Sequence, residues 1–134
     1  MANYCRSPVA EKILKNNLDS FNITSCGIHP HYKQEMDERS RTYLRNKNIH
    51  DLDHNPKRIS DKLIGNSDYI FALDINILMH LKKLISNKNI YLLDHFDNVN
   101  YAPDPFKYDL NKYTKVMDKI YNSCKLIKDN IDKL

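Results

Sequence analysis

The sequence predicts an α/β domain with a short parallel sheet, and three observations carry that expectation. Tyr69-Ile70-Phe71-Ala72-Leu73 is a continuous apolar run ended by Asp74, the pattern of a strand covered on both faces. Residues 75–85 follow with Leu78, Leu81, Leu84 and Ile85 at helical spacing. Ile90-Tyr91-Leu92-Leu93 is a second apolar run. A strand, a helix and a strand in succession make a parallel pair with a crossover helix.

The other elements read as follows. Val9, Ile13, Leu14 and Leu18 recur at helical spacing and predict a helix over 8–17, with Ser7 as its N-cap and Pro8 at its first position. Phe21-Asn22-Ile23-Thr24-Ser25 reads as a short strand closed by a turn at Gly27, one of two glycines in the chain. Met36, Ser40, Tyr43 and Leu44 share one helical face in a stretch that begins near Asp37. Pro56 is placed to open a short helix through Leu63. Tyr113, Val116, Ile120, Cys124 and Ile127 mark a long amphipathic helix over 110–131, with Cys124 as a small core hydrophobe.

The chain has 134 residues, enough for one domain, 1–134, with a real core. Hydrophobic content of 41% and charged content of 28% fit a globular protein rather than a disordered one. The net charge is +4, but Lys and Arg are interleaved with Asp and Glu, which argues for a solvated surface over nucleic-acid binding. The mild excess would still draw a small anion. No apolar run is long enough to span a membrane. Cys5, Cys26 and Cys124 are odd in number and far apart, with neither metal spacing nor a disulfide framework. A reducing cytosol is therefore expected, and a monomer with no cofactor. His50-Asp51-Leu52-Asp53-His54 has paired histidines, but Pro56 and the polar lead-in favour a loop over a metal-binding helix.

The chemistry concentrates at Asn3-Tyr4-Cys5-Arg6-Ser7-Pro8, just before a helix. A helix N-terminus presents N–H groups and the positive end of a dipole to an anion, and an arginine beside it offers a planar fork of donors for phosphate. With Ala10-Glu11, this stretch resembles the low-molecular-weight protein tyrosine phosphatases, whose loop runs from a cysteine through five residues to Arg-Ser-Pro. The resemblance extends to about Ile127. It implies a three-layer α/β/α fold with a short parallel sheet. It makes Arg6 the phosphate-binding arginine, Asn3 the loop asparagine, Tyr4 a loop residue, Cys5 the second cysteine and Ser7 the hydroxyl that supports the thiolate. Ser25, in a turn like the family's Ser-Ala-Gly-Thr, would help to hold the loop. Asp104-Pro105-Phe106 matches the family's Asp-Pro-aromatic motif, with Asp104 as general acid and Phe106 as a wall of the ring pocket; a second wall residue is His31 or Tyr32. Asp37 and Arg39 match an Asp-x-Arg before the second helix and read as structural, and His54 with Arg58 matches a His-x-x-x-Arg segment. Leu73-Asp74 stands at the family's Met-Asp turn.

In that alignment the nucleophilic cysteine belongs one residue before Met1. The apolar strand leading into the loop, central in the family's sheet, belongs before it too. The expectation is therefore an internal or misassigned start and a chain that, as given, turns nothing over. The substrate implied is a phosphotyrosine protein or a small aryl phosphate. An arsenate reductase relative and a phosphate-binding module without catalysis remain as alternatives.

Overall fold

The computed structural model describes residues 3–29, 35–86, 89–97 and 103–134. Three helices form its closed side. Helix α1 (Arg6–Asn17) packs against α2 (Glu38–Asn46) and α5 (Leu110–Asn130). Val9 and Ile13 of α1 are fully buried. They meet a stripe on α5 of Tyr113, Val116, Met117, Ile120, Cys124 and Ile127, in which no residue exceeds 5% exposure. Burial of one such aliphatic side chain contributes about 1.5–3 kcal/mol, so this contact is the main source of cohesion. Cys124 sits within it as a small apolar group, its Sγ 3.9 Å from the Ala10 carbonyl oxygen. A short 3-10 turn (Ile131–Lys133) follows α5.

The start of α2 is set by Asp37, whose carboxylate accepts the Arg39 N–H and caps the helix. Helix α3 (Asp61–Gly65) begins later than expected, after Ser60, whose hydroxyl accepts the Leu63 N–H. Pro56 instead lies in a non-helical segment whose next residue, Lys57, gives its N–H to the Asn3 side chain. That cross-chain bond takes a donor which a helix from Pro56 would point elsewhere.

Strand β1 (Tyr69–Ala72) pairs in parallel with β2 (Asn89–Leu92), Tyr69 opposite Asn89 and Ala72 opposite Leu92. Helix α4 (Ile75–Leu84) makes the crossover and packs on both strands, capped by Asp74, which accepts the Ile77 N–H at 2.9 Å. Two expectations need correction here. These strands are not sealed on both faces, since only Ala72 is buried. Residues 21–25 form no ladder; the nearest pairing is an isolated parallel bridge between Gly27 and Arg58. A cleft of about 930 Å³ runs beside both segments, and Ile23, Ile70 and Phe71 all line it. Among the described residues, no helix is long and apolar enough to cross a membrane.

Candidate active site

The cleft brings together all eight residues singled out from the sequence: Asn3, Tyr4, Cys5, Arg6, Ser7, Ser25, Asp104 and Phe106. His31 and Tyr32 lie outside the described residues.

The turn into α1 rests on Asn3. Its φ of 61° is left-handed, a conformation that asparagine tolerates better than most residues. The side chain is 2% exposed, and every polar group on it is used. Its Nδ2 donates to Ser7 Oγ and Ser25 Oγ, each at 2.8 Å, and its Oδ1 accepts the Lys57 N–H at 2.9 Å. Its carbonyl oxygen lies 2.8 Å from His54 Nε2. Burial lowers the His54 pKa below its ordinary range, against the pull of that carbonyl. Ser25 in turn donates to Glu11 Oε1 at 2.7 Å. Burial opposes ionisation of Glu11, but the Ser25 hydroxyl and the ammonium groups of Lys15 and Lys12 outweigh it and hold the carboxyl below its usual value. The loop is thus shaped by directional bonds from three separate segments, α1, Ser25 and residues 54–57, which is what a preorganised anion site needs.

Ser7 is not the N-cap. The helix begins at Arg6 with Cys5 as its cap residue, and no side chain caps it. The Asn3 amide engages the Ser7 hydroxyl and draws it inside the helix. Pro8 becomes the third helical residue, still within the turn whose N–H groups have no partner inside the helix.

Arg6 is 3% exposed and pairs with Asp74 at 3.0 Å (Nη2 to Oδ2). Asp74 uses its other oxygen to cap α4, so one buried carboxylate ties the arginine to the end of β1. This partner was missed from the sequence. The available signal was a lone carboxylate closing an apolar run, which must find a cation or a cap.

Cys5 is buried, and its Sγ points to Asp37 Oδ2 at 3.8 Å. Burial pushes its thiol up to about 12, with the Asp37 and Asp104 carboxylates adding to the rise. Such a group is a thiol, not a thiolate, at neutral pH.

Asp104 and Phe106 face this loop from the segment before α5. Asp104 is exposed, and its Oδ1 accepts the Phe106 N–H at 3.2 Å. Pro105 is fully buried and anchors the turn, while the Phe106 ring stands edge-on to Tyr4 with centroids 6.0 Å apart. In the segment 50–57, His54 bonds Asn3 and Asp51 pairs with Lys12 at 3.5 Å; among the described residues no cluster could hold a metal ion.

The comparisons with known proteins agree on the family. Its sequence profile, described as low molecular weight phosphotyrosine protein phosphatase, matches residues 1–134. That match includes Cys5 and lends no support to the expectation of a missing strand and nucleophile. A low molecular weight protein-tyrosine-phosphatase, Ptp, of Acinetobacter johnsonii is 28% identical over 111 residues, covering 81% of this chain and 78% of its own. A protein of Klebsiella pneumoniae named putative low molecular weight protein-tyrosine-phosphatase is 25% identical over 126 residues, covering 92% and 88%. Among solved structures, a low molecular weight phosphotyrosine phosphatase from Vibrio cholerae O395 superposes with a TM-score of 0.91 at 20% identity, covering 98% of this chain and 92% of its own. The YwlE arginine phosphatase of Geobacillus stearothermophilus does so with 0.89 at 18%, covering 99% and 89%. The fold is thus shared by enzymes named for different phosphorylated residues, and the substrate has to be argued from the site. The chain belongs to the low molecular weight phosphotyrosine protein phosphatase family.

Proposed function

We propose that this chain carries the phosphate-gripping and proton-transferring parts of a phosphotyrosine phosphatase site. The observation that carries the reading is the cleft itself, which is lined both by a buried arginine at a helix N-terminus and by the exposed Asp104 and Phe106. The N–H groups of the loop and Arg6 hold the equatorial oxygens of a phosphoryl group. A thiolate attacks phosphorus and the P–O bond to the phenol breaks, with Asp104 protonating the departing oxygen. Water then attacks the cysteinyl phosphate while Asp104 takes a proton back, releasing phosphate and the free thiolate. Phe106 and Tyr4 flank the aryl ring, and Ser25 and Asn3 hold the loop in shape. A phosphotyrosine protein or a small aryl phosphate fits this chemistry, in a reducing compartment and with no cofactor.

The thiolate is not Cys5. It abuts Arg6 instead of preceding it by six positions, and it is buried and held protonated. The 134-residue chain by itself therefore binds phosphate without hydrolysing its esters.

The test is a titration of the chain with inorganic phosphate, followed by amide NMR. The resonances of residues 3–7 shift on binding, and Arg6→Met weakens the affinity at least about tenfold, the effect of losing roughly 1.4 kcal/mol. Shifts confined to other parts of the surface, or an unchanged affinity in Arg6→Met, would refute the reading.

A further inference from the structure

Arg39 carries more bonds than its reading as a structural residue accounts for, and they run in two directions. Its Nε and Nη2 donate to Asp37 Oδ1 and Oδ2 at 2.9 and 2.7 Å. Its Nη1 donates to the Tyr108 carbonyl at 2.7 Å and its Nη2 to the Phe106 carbonyl at 2.9 Å. The guanidinium carbon lies 4.0 Å from the centroid of the Tyr113 ring, which carries the group from α5. Two carboxylate oxygens and two main-chain carbonyls are thus gathered on one rigid plane. An ammonium group, as a point charge with three donors, cannot reproduce that arrangement.

The Asp37 end of the clamp reaches the phosphate loop. The Asp37 N–H donates to the Tyr4 carbonyl at 3.0 Å, the Cys5 thiol points at its carboxylate, and the neighbouring Ser40 hydroxyl donates to the Cys5 carbonyl at 3.0 Å. Ser40 also shares a short hydrogen bond with the Tyr113 hydroxyl. Burial works against the charge on Asp37, and the Arg39 guanidinium overcomes it, holding the carboxyl below its ordinary range. The other end of the clamp holds the acid-bearing segment. Phe106 and Tyr108 are 44% and 36% exposed, so apolar burial does little to fix them. Between them the turn is closed by the Tyr108 N–H on the Pro105 carbonyl at 2.9 Å and by the Phe106 N–H on the Asp104 carboxylate. Together with the buried Pro105, the two held carbonyls fix the turn that carries Asp104.

We propose that Arg39 is the positioning residue for the proton donor: it sets where the Asp104 carboxyl stands, and through Asp37 it ties that position to the phosphate loop at Tyr4 and Cys5. This role rests on Asp104 being the general acid.

The test compares the unsubstituted 134-residue chain with Arg39→Met and Arg39→Lys by amide relaxation, each titrated with inorganic phosphate. Arg39→Met keeps an apolar stem against Tyr113 but has no donors. Order parameters at Phe106, Lys107 and Tyr108 fall from about 0.85 to below about 0.6, while those of α2 hold. Arg39→Lys gives an intermediate loss, and phosphate affinity stays of the same order in both. Unchanged order at 106–108 in a folded Arg39→Met overturns the proposal. Should that variant fail to fold, Arg39→Lys, which retains the charge beside Asp37, decides in the same way. Absence of phosphate-induced shifts at residues 3–7 of the unsubstituted chain is a separate failure. It removes the acid assignment, and with it this role, whatever the relaxation data show.

Discussion

At one end of the cleft Asn3, Cys5 and Arg6 are 2%, 7% and 3% exposed, and at the other Ile23, Ile70 and Phe71 are only half-buried. The first end is polar and is held by bonds that fix direction: Asn3 to Ser7, Ser25 and Lys57, and Arg6 to Asp74. The second end is apolar and is held by a two-stranded ladder with α4 on it. Directional bonds can hold a site in shape before any ligand arrives, whereas apolar area contributes only once something covers it. The polar end is thus held in shape by bonds that fix direction, and the strand end by apolar packing that leaves it half-exposed.

The largest expected effect separates the closed helical side from the strand end. Ile13→Ala removes methyl groups from a fully buried site between α1 and α5 and costs about 3–4 kcal/mol, in the range for large-to-small core changes. Phe71→Ala, at the cleft, costs less, about 2 kcal/mol, because that ring is only partly buried against the core. Urea unfolding of the two variants checks this. Equal losses would mean that β1 is packed as tightly as α1.

A smaller effect sharpens the same contrast through pH. The folded His54 has a pKa below the usual 6.5, so the unfolded chain takes up that proton first. Stability then falls as pH drops below 6.5, with a slope of at most about 1.4 kcal/mol per unit for one group. Glu11 and Asp37 are held below their ordinary 4.5 and 3.8, so the stability they contribute is present above those values and lost as pH falls further. Urea midpoints across pH 3–8 should show both declines. In His54→Gln the first disappears and the second remains; a first decline unaltered by that change would show that the phosphate end is not its source.

Much of the fold was legible because periodicity is a local signal. The stripe on α5, the crossover α4 and the two apolar runs of β1 and β2 each announce themselves within a few residues. The expected strand at 21–25 failed because a strand exists only with a partner, and no partner stands beside Ile23 among the described residues. The site was legible in kind but not in its supports. Cys-Arg-Ser-Pro and Asp-Pro-Phe point to residues that meet a ligand, whereas the Arg6–Asp74 pair spans 68 positions and the Arg39 bonds to Phe106 and Tyr108 span 67 and 69. Nothing in spacing reports such pairs. Ser7 misled for a related reason: its capping preference is real, but Asn3 competes for the hydroxyl.

The central claim is the proposal that residues 3–7 bind phosphate while Cys5, a buried thiol, is not the nucleophile. The most direct measurement is p-nitrophenyl phosphate hydrolysis by the 134-residue chain beside its Cys5→Ser variant, on samples already seen to bind inorganic phosphate. The expected result is binding in both and no turnover above background in either. Turnover in the unsubstituted chain that Cys5→Ser abolishes would contradict the account and make Cys5 the catalytic thiolate.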